Sequence, residues 1–307
     1  MKLAVGVLGT GRMGGSMARA LARAGFELYL YNRTPERAER LARELNGHAA
    51  NTPAEVAAHC DVVISSVADG PAVKALYEGP DGVIAGLRAG SVAADMSTVL
   101  PETILGLEAS IRAKGAGVLD APVSGSVSLA TSGQLTIMVG GTAEDLEKAR
   151  PVLDALASRV FHIGPLGSAA AMKLAVNAVV FGLNQALSEA LALAEAAGID
   201  RSIAYDVLAA SAIGAPYVQY KRAAFVTPEE TPPAFSLELA QKDLRLIGEL
   251  AQAVGSDVAQ ARANLQLIVD AAGTEGADAD LSSVAAHIRR LARGPVAAGA
   301  SRTKPAS

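Results

Sequence analysis

Apolar residues in the first half of the chain alternate between short continuous runs and stretches at helical spacing. The short runs predict five strands, at Leu3–Leu8, Glu27–Tyr31, Val62–Val67, Ser91–Ala94 and Val118–Leu119. Between them, helical spacing predicts helices at Met13–Ala24, Pro35–Leu45, Pro71–Tyr77 and Pro101–Lys114. This alternation is typical of an α/β protein, with a parallel sheet that carries helices on both faces.

The pattern continues with two further strands and then changes. These strands are predicted at Leu135–Val139 and Val160–Ile163, on either side of a helix from Ala143 to Leu156 for which Thr142 is a suitable N-cap. After Gly164-Pro165-Leu166-Gly167 only helical patterns follow, at Ser168–Ala197, Arg201–Ser211, Leu237–Val254, Asp257–Ala272 and Ser283–Leu291. We therefore predict an α/β domain over residues 1–164, an all-α domain over 165–293, and a disordered tail rich in Ala, Gly and Pro over 294–307.

Composition narrows the class of protein. Half of the 307 residues are hydrophobic and only 4% are aromatic, so the core must consist mainly of aliphatic side chains. The net charge of -4 gives no reason to expect nucleic acid as a partner. The single cysteine, Cys60, allows neither an intrachain disulfide nor a thiolate metal cage, as is usual in a reducing cytoplasm.

No targeting or membrane segment is expected. The apolar start of the chain is short and runs directly into glycines. The helix predicted at Ser168–Ala197 is apolar nearly all round, but Lys173 and Asn177 interrupt it, and a membrane span needs about 20 uninterrupted apolar residues. We expect instead that a second subunit covers this helix in a soluble, cytoplasmic protein.

A glycine motif stands between the first predicted strand and the first predicted helix. It reads Gly9-Thr10-Gly11-Arg12-Met13-Gly14. The first glycine suits a tight turn, the second lets the backbone approach a pyrophosphate, and the third allows close packing of helix on strand. The helix N-terminus also offers N–H groups and a partial positive charge to phosphates. This context favours a dinucleotide-binding site over a merely structural turn.

The end of the second predicted strand distinguishes the two nicotinamide cofactors. A carboxylate about 20 residues past the glycines would bind the ribose of NAD and repel the 2′-phosphate of NADP. The chain has Asn32-Arg33-Thr34 there, which supplies no negative charge, one guanidinium and one hydroxyl. NADP(H) is therefore favoured over NAD(H). A structural interpretation also stands, in which Arg33 faces solvent and Thr34 caps the helix that begins at Pro35.

Two further segments are candidates for binding a substrate and exchanging a proton. Ser124-Gly125-Ser126 follows a strand at the edge where ligands bind in open α/β sheets, and it offers N–H groups and hydroxyls to a carboxylate. Such a turn alone is more often only a turn. Lys173 and Asn177 lie four residues apart on the apolar helix and share a face. Lys173 either extends to solvent or faces a cleft where it exchanges a proton, and the residues alone leave both open.

Together these motifs resemble those of the β-hydroxyacid dehydrogenase family, which includes 3-hydroxyisobutyrate dehydrogenases, tartronate semialdehyde reductases and glyoxylate/succinic semialdehyde reductases. The resemblance runs from about Lys2 to Leu291 and rests on Gly6–Gly14, Asp120–Gly125, Gly133–Gly141, Lys173 with Asn177, and Phe235 through Lys242-Asp243. It implies a doubly wound Rossmann domain followed by a helical domain, in a homodimer or homotetramer built through the long helix.

The resemblance also implies roles for individual residues. Lys173 would be the catalytic acid/base, Asn177 would help to hold the substrate, and the loop at Ser124-Gly125 would bind the substrate carboxylate. The positions implied to line the cofactor are Val67, Ala68, Thr98 and Lys242. The expected reaction is hydride transfer between NADP(H) and a small 3-hydroxy acid or semialdehyde. Candidates for the substrate wall, without assigned roles, are Tyr217, Tyr220, Lys221 and Arg222.

The chain departs from the family pattern at Ser126, where most members have a second glycine, so this hydroxyl would either crowd or bind the carboxylate. One alternative function is an imine reductase of the same architecture, although those enzymes usually carry another residue in place of the lysine. A second alternative is a non-catalytic nucleotide-binding scaffold. The combination of Lys173, Asn177 and Ser124 disfavours it.

Overall fold

The computed structural model describes residues 3–292, and one nine-stranded sheet forms its N-terminal half. The strands are β1 (Ala4–Leu8), β2 (Glu27–Tyr31), β3 (His48–Ala49), β4 (Val62–Ser65), β5 (Val92–Asp95), β6 (Gly117–Asp120), β7 (Val123–Ser124), β8 (Leu135–Gly140) and β9 (Ala157–Gly164). They lie in the order β3-β2-β1-β4-β5-β6-β8-β7, and β9 pairs with β8. Because β2 and β4 flank β1, the strand order reverses at β1, as in doubly wound sheets.

The described helices alternate with these strands and then continue alone. They are α1 (Arg12–Arg23), α2 (Pro35–Leu45), α3 (Pro53–His59), α4 (Gly70–Tyr77), α5 (Val83–Gly86), α6 (Pro101–Arg112), α7 (Val127–Ser132), α8 (Ala143–Leu156), α9 (Ser168–Ala196), α10 (Arg201–Ala210), α11 (Pro216–Val226), α12 (Leu237–Val254), α13 (Ala259–Glu275) and α14 (Val284–Ala292). The predicted α/β class with a helical C-terminal part is confirmed. Thr142 is the N-cap of α8, as predicted, and its hydroxyl accepts the N–H of Asp145.

The sheet is parallel from β3 through β6, as predicted. The prediction of a parallel sheet is wrong at β8, which runs antiparallel to both β6 and β7. The reason is the short connection between β7 and β8, which contains only the six-residue helix α7. A parallel return needs a crossover of about a dozen residues or more, so the chain folds straight back instead.

Two apolar clusters cover the two faces of the sheet, because successive strand residues point to opposite sides. Val5 and Val7 of β1 belong to the cluster that contains the apolar residues of α1, α2 and α8. Leu8 of β1 and Val63 of β4 belong to the cluster that contains those of α3, α4 and α6. With helices on both faces, the central strands β4, β5 and β6 are buried along their whole length. In open α/β sheets of this kind ligands bind outside the carboxyl ends of the strands.

The described residues form two compact units. The first runs up to Ala178 and includes Arg245–Val258, and the second comprises Val179–Leu244 and the residues from Ala259 onwards. The division falls within α9 and α12, so the domain boundary near Gly164 stays a prediction. The predicted tail at 294–307 lies outside the described residues.

The second unit is held together by polar groups that the sequence pattern did not reveal. Lys221 is buried, and its Nζ lies 2.7 and 2.9 Å from the two carboxylate oxygens of Asp280. Asp280 also accepts the N–H groups of Ala234 and Phe235, which lead into α12. The hydroxyl of Tyr217 donates to Asn184 Oδ1 at 2.7 Å. Arg222 donates to Asp206 at 2.7 Å, so three of the four candidates for the substrate wall make internal bonds within this unit.

Among residues 3–292, α9 alone is long and apolar enough to cross a membrane by length and composition. Core helices of water-soluble proteins meet the same criterion. Val179 and Leu193 of α9 are 71% and 74% exposed in the single chain, so burial on most faces is not achieved within one subunit. The expected second subunit on this helix stays a prediction.

Candidate active site

Two glycines of the predicted dinucleotide turn are required by close backbone contacts. Gly9 has a φ of 90°, and a Cβ added there would lie 2.3 Å from the carbonyl oxygen of Ser66. A Cβ at Gly14 would lie 1.9 Å from the carbonyl oxygen of Gly9. Real side chains never approach this closely, so Gly9 forms the tight turn and Gly14 lets α1 pack against it.

The second glycine of the turn, Gly11, has no such internal constraint. A Cβ at Gly11 would meet nothing within 4 Å, and Gly11 is the N-cap of α1, whose first turn carries no acidic residue. The hydroxyl of Thr10 is buried and finds no hydrogen-bond partner among the described residues. Arg12 is exposed and Met13 is half-buried. An open approach, a spare hydroxyl and a helix N-terminus fit the pyrophosphate of a dinucleotide.

Asn32 joins the glycine turn to the turn between β2 and α2. Its Oδ1 accepts the N–H of Thr10 at 3.1 Å, and its Nδ2 donates to the carbonyl oxygen of Thr34 at 3.1 Å. Arg33 and Thr34 are exposed beside it. The three residues predicted to select NADP(H) are thus tied to the predicted pyrophosphate turn.

Thr34 stands at the N-cap position of α2, but the expected capping bond from its hydroxyl is absent. Thr52 and Thr142, whose hydroxyls do cap helices, have ψ angles of 153° and 150°, whereas ψ at Thr34 is 100°. The missing bond thus coincides with a rotated backbone at Thr34. The Thr34 hydroxyl is therefore not committed to its own helix.

A buried polar network links the loops that follow β4 and β5. The hydroxyls of Ser65 and Ser97 donate to Oδ1 of Asp95 at 2.6 and 2.9 Å, and Ser97 Oγ accepts the N–H of Val67 at 3.0 Å. Thr98, half-buried, follows Ser97, and Ala68 is exposed. This network holds the loops at Val67 and Thr98, two of the positions implied to line the cofactor.

Asp95 is 2% exposed, and burial raises its pKa from 3.8 to about 6. The hydrogen bonds from Ser65 and Ser97 oppose that rise, while the charge of Asp120 adds to it. Asp95 and Asp120 are register partners at the ends of β5 and β6. Sequence reasoning missed Asp95, although a polar residue at the end of a buried apolar strand is a usable signal.

The predicted substrate loop begins at the end of β7, four residues after the end of β6. Ser124, half-buried, pairs with Thr136 of β8. Gly125 has a φ of 143°, and a Cβ there would lie 2.9 Å from Leu135, so no other residue fits without strain. Ser126 caps α7: its hydroxyl accepts the N–H of Leu129 and lies 2.7 Å from the hydroxyl of Ser128. The Ser126 hydroxyl is thus hydrogen-bonded within its own loop and helix.

The N-terminus of α9 is bound to the end of β6. Asp120 Oδ1 accepts the N–H of Gly167 at 2.8 Å, and Oδ2 accepts the N–H of Ala170 at 2.7 Å. Lys173 follows less than one turn later and is half-buried, and Asn177 is 7% exposed. Lys173 is thus not fully exposed, and the predicted acid/base lies on a helix fixed to the strand that leads into the substrate loop.

The remaining candidate, Lys242, lies on α12 in the second unit, where its Nζ is 2.7 Å from Asp243. Its role at the cofactor stays a prediction. Within residues 3–292 there is no group of three or more His, Cys, Asp or Glu side chains arranged to hold a metal ion.

Two family models match successive parts of the chain. The NAD binding domain of 6-phosphogluconate dehydrogenase matches residues 4–164, and the NAD-binding domain of NADP-dependent 3-hydroxyisobutyrate dehydrogenase matches residues 167–288. The fold and the glycine turn therefore define an oxidoreductase that binds NAD(P).

Curated relatives and solved structures narrow this class. Glyoxylate/succinic semialdehyde reductase 2, chloroplastic, of Arabidopsis thaliana is 33% identical over 92% of this chain and 78% of its own length. The cytokine-like nuclear factor N-PAC of Xenopus tropicalis is also 33% identical, over 91% of this chain, which spans about half (52%) of that relative. The crystal structure of 3-hydroxyisobutyrate dehydrogenase from Salmonella typhimurium has a TM-score of 0.85 at 28% identity, covering 93% of this chain and 100% of that one. The chain belongs to the β-hydroxyacid dehydrogenase family.

An imine reductase from a Pseudomonas species shares the fold, with a TM-score of 0.63 at 20% identity, covering 94% of this chain and 100% of its own.

Proposed function

We propose that the protein is an NADP(H)-dependent oxidoreductase that interconverts a small 3-hydroxy acid and the corresponding semialdehyde. The supporting observation is the half-buried Lys173 on α9, whose N-terminal turn is bound by Asp120. Asp120 is also the residue from which the chain continues into Ser124-Gly125. An amine and a carboxylate-binding loop held in fixed register are what an acid/base reaction on a small hydroxy acid requires.

Each residue then has a defined task. NADP(H), when bound, supplies or accepts the hydride. Lys173, as an ammonium group, donates a proton to the substrate carbonyl oxygen during reduction, and as a neutral amine it removes the hydroxyl proton during oxidation. Asn177, one turn further along the same helix face, orients that oxygen. The N–H groups of the Ser124-Gly125-Ser126 turn hold the substrate carboxylate, because the Ser126 hydroxyl is engaged in capping α7.

Replacement of Lys173 tests the proposed function. Lys173→Ala should lower turnover of succinic semialdehyde or glyoxylate with NADPH by about a hundredfold or more, because no other group replaces the proton donor. NADPH affinity, measured by fluorescence titration, should stay unchanged. Lys148→Ala is the matched control, since Lys148 pairs with Glu144 on the surface of α8. Wild-type turnover in Lys173→Ala, or an inactive wild type on a panel of semialdehydes and 3-hydroxy acids, would refute the proposal.

Arg33 and Thr34 support a preference for NADP(H) over NAD(H). The exposed Arg33 guanidinium can form two charge-assisted bonds to a 2′-phosphate, and the Thr34 hydroxyl can add a third. Arg33→Ala should therefore weaken NADPH binding by about tenfold to a hundredfold and leave NADH binding nearly unchanged. Arg43→Ala, at the far end of α2, is the control. Equal losses for both cofactors in Arg33→Ala would contradict the assignment.

Two rival functions are separable by assay. The first rival, an imine reductase, is tested by measuring NADPH oxidation with a cyclic imine and, separately, with succinic semialdehyde. We expect the protein to reduce the semialdehyde and not the imine. A relative named as a nuclear factor motivates the non-catalytic alternative. That alternative predicts NADPH binding without turnover. Location in the cytoplasm stays a prediction, because one relative is chloroplastic.

A further inference from the structure

We propose that Asp120 is a positioning residue for this reaction, which fixes Lys173 in register with the substrate loop by binding the N-terminus of α9. The proposal rests on the proposed function and adds to it a residue that touches neither substrate nor cofactor.

The contacts of Asp120 are specific on both oxygens. Its side chain is 1% exposed, Oδ1 accepts from Gly167 and Oδ2 accepts from Ala170. The first N–H groups of a helix have no partner within the helix, so a single carboxylate satisfies two donors at once. Two bonds to two different N–H groups prevent the helix from sliding or rotating about either one. Burial raises the pKa of Asp120, and these N–H groups oppose the rise.

Strand β8 packs closely against the carboxylate of Asp120 and restricts its position. A Cβ at Gly140 of β8 would be 2.2 Å from Asp120 Oδ1. Gly140 is also the register partner of Asp120 across the sheet. A glycine is therefore required opposite the carboxylate, and the side chain of Asp120 is confined between β8 and the first turn of α9.

The same residue stands between the two functional segments. Ser124 follows Asp120 by four residues, two of which form the link from β6 to β7. Lys173 follows Ala170 by three residues, which is about 4.5 Å along a helix axis. A displacement of the first turn of α9 would therefore move the Lys173 amine by nearly the same distance. A misplacement of about 1 Å can reduce a rate by roughly a hundredfold.

The test compares two buried carboxylates, each of which is hydrogen-bonded at the start of a helix. Asp120→Asn keeps the shape of the side chain but sets an amide N–H against one of the two donors. Asp145→Asn does the same in the first turn of α8, where the 3% exposed Asp145 accepts from Arg112 and Thr142. Both variants should unfold at lower temperature. Only Asp120→Asn should lower kcat for succinic semialdehyde, by about tenfold to a hundredfold, with the Kd for NADPH unchanged within about twofold.

A double-mutant cycle makes the test specific to Lys173. In a Lys173→Ala background, Asp120→Asn should change the residual rate by less than about twofold, because the amine that Asp120 positions is already absent. Equal kcat losses in Asp120→Asn and Asp145→Asn, or an undiminished effect in the Lys173→Ala background, would overturn the inference.

A second variant keeps the inference testable if Asp120→Asn does not fold. Ala170→Pro removes the same hydrogen bond from the helix side, at a position in the first turn whose N–H has no partner within the helix, and should reproduce the kcat loss. A normal kcat in Ala170→Pro would also overturn the inference. Failure of the proposed function appears separately, as retained turnover in Lys173→Ala alone.

Discussion

Two buried carboxylates, Asp95 and Asp120, form the hydrogen bonds that fix the segments at the carboxyl ends of β5 and β6. Asp95 binds the loops after β4 and β5 through Ser65 and Ser97, and Asp120 binds the N-terminus of α9. The two residues lie side by side on adjacent strands. Burial, with a smaller contribution from the charge of Asp120, raises the pKa of Asp95 to about 6, where an exposed aspartate is fully charged.

Asp95 should therefore make stability depend on pH. Its pKa in the folded chain, about 6, lies above the ordinary 3.8, so the stability it contributes is present below about pH 4 and is lost as pH rises through about 6. The whole effect is about 3 kcal/mol at most, from 1.36 kcal/mol per pKa unit. Asp95→Asn should show a smaller fall in unfolding free energy between about pH 4 and 6 than the wild type, measured by urea denaturation. An identical pH slope in both proteins would contradict this account.

At the level of residues, the sequence predicted the motif positions but not their partners. Gly9 and Gly14 were assigned correctly because a glycine turn between strand and helix has one geometry. The bonds from Ser65 and Ser97 to Asp95 join segments up to 30 residues apart, and no local spacing encodes them. The capping role of Ser126 was missed because α7 itself was not predicted.

At the level of elements, the sequence predicts helices and strands best when they are long and when capping residues, proline or glycine mark their ends. α2, α8 and α12 have the bounds that the sequence predicted, because each combines a long amphipathic pattern with proline, a cap or glycine at its ends. The missed elements are β3, β7, α3, α5, α7 and α11. Most of these are short, and a periodicity needs more than two turns to be visible.

Helix α11 is the exception, since it spans 11 residues and was still missed. Its buried residues include Lys221, which a hydrophobic pattern counts as a surface position. The compensating Asp280 lies 59 residues later in the chain. A buried ion pair hides an amphipathic helix from any analysis that treats lysine as exposed.

At the level of the whole molecule, α9 presents an apolar surface that a second copy of the chain is expected to cover. Val179, Ala186 and Leu193 recur at seven-residue spacing on one face and are all exposed. The family resemblance implies a homodimer or homotetramer built through this helix. The exposed face is the physical reason to expect one.

Light scattering after size-exclusion chromatography checks this expectation. The wild type should elute as a dimer or tetramer, and Val179→Glu combined with Leu193→Glu should dissociate it, since burying two unpaired carboxylates is costly. Val254→Glu, at the end of α12 and 66% exposed, is the control and should leave the mass unchanged. A monomeric wild type would rule out the assembly.

The amide of Asn32 has a consequence for how coenzyme choice can evolve. Its oxygen holds the turn at Thr10, while its nitrogen reaches Thr34. Exchanging that nitrogen for oxygen, as in aspartate, would retain the bond to Thr10 and introduce the negative charge that disfavours a phosphorylated ribose. The new oxygen would also face the carbonyl oxygen of Thr34 without a hydrogen to donate, so a change of coenzyme at this position requires the start of α2 to move as well.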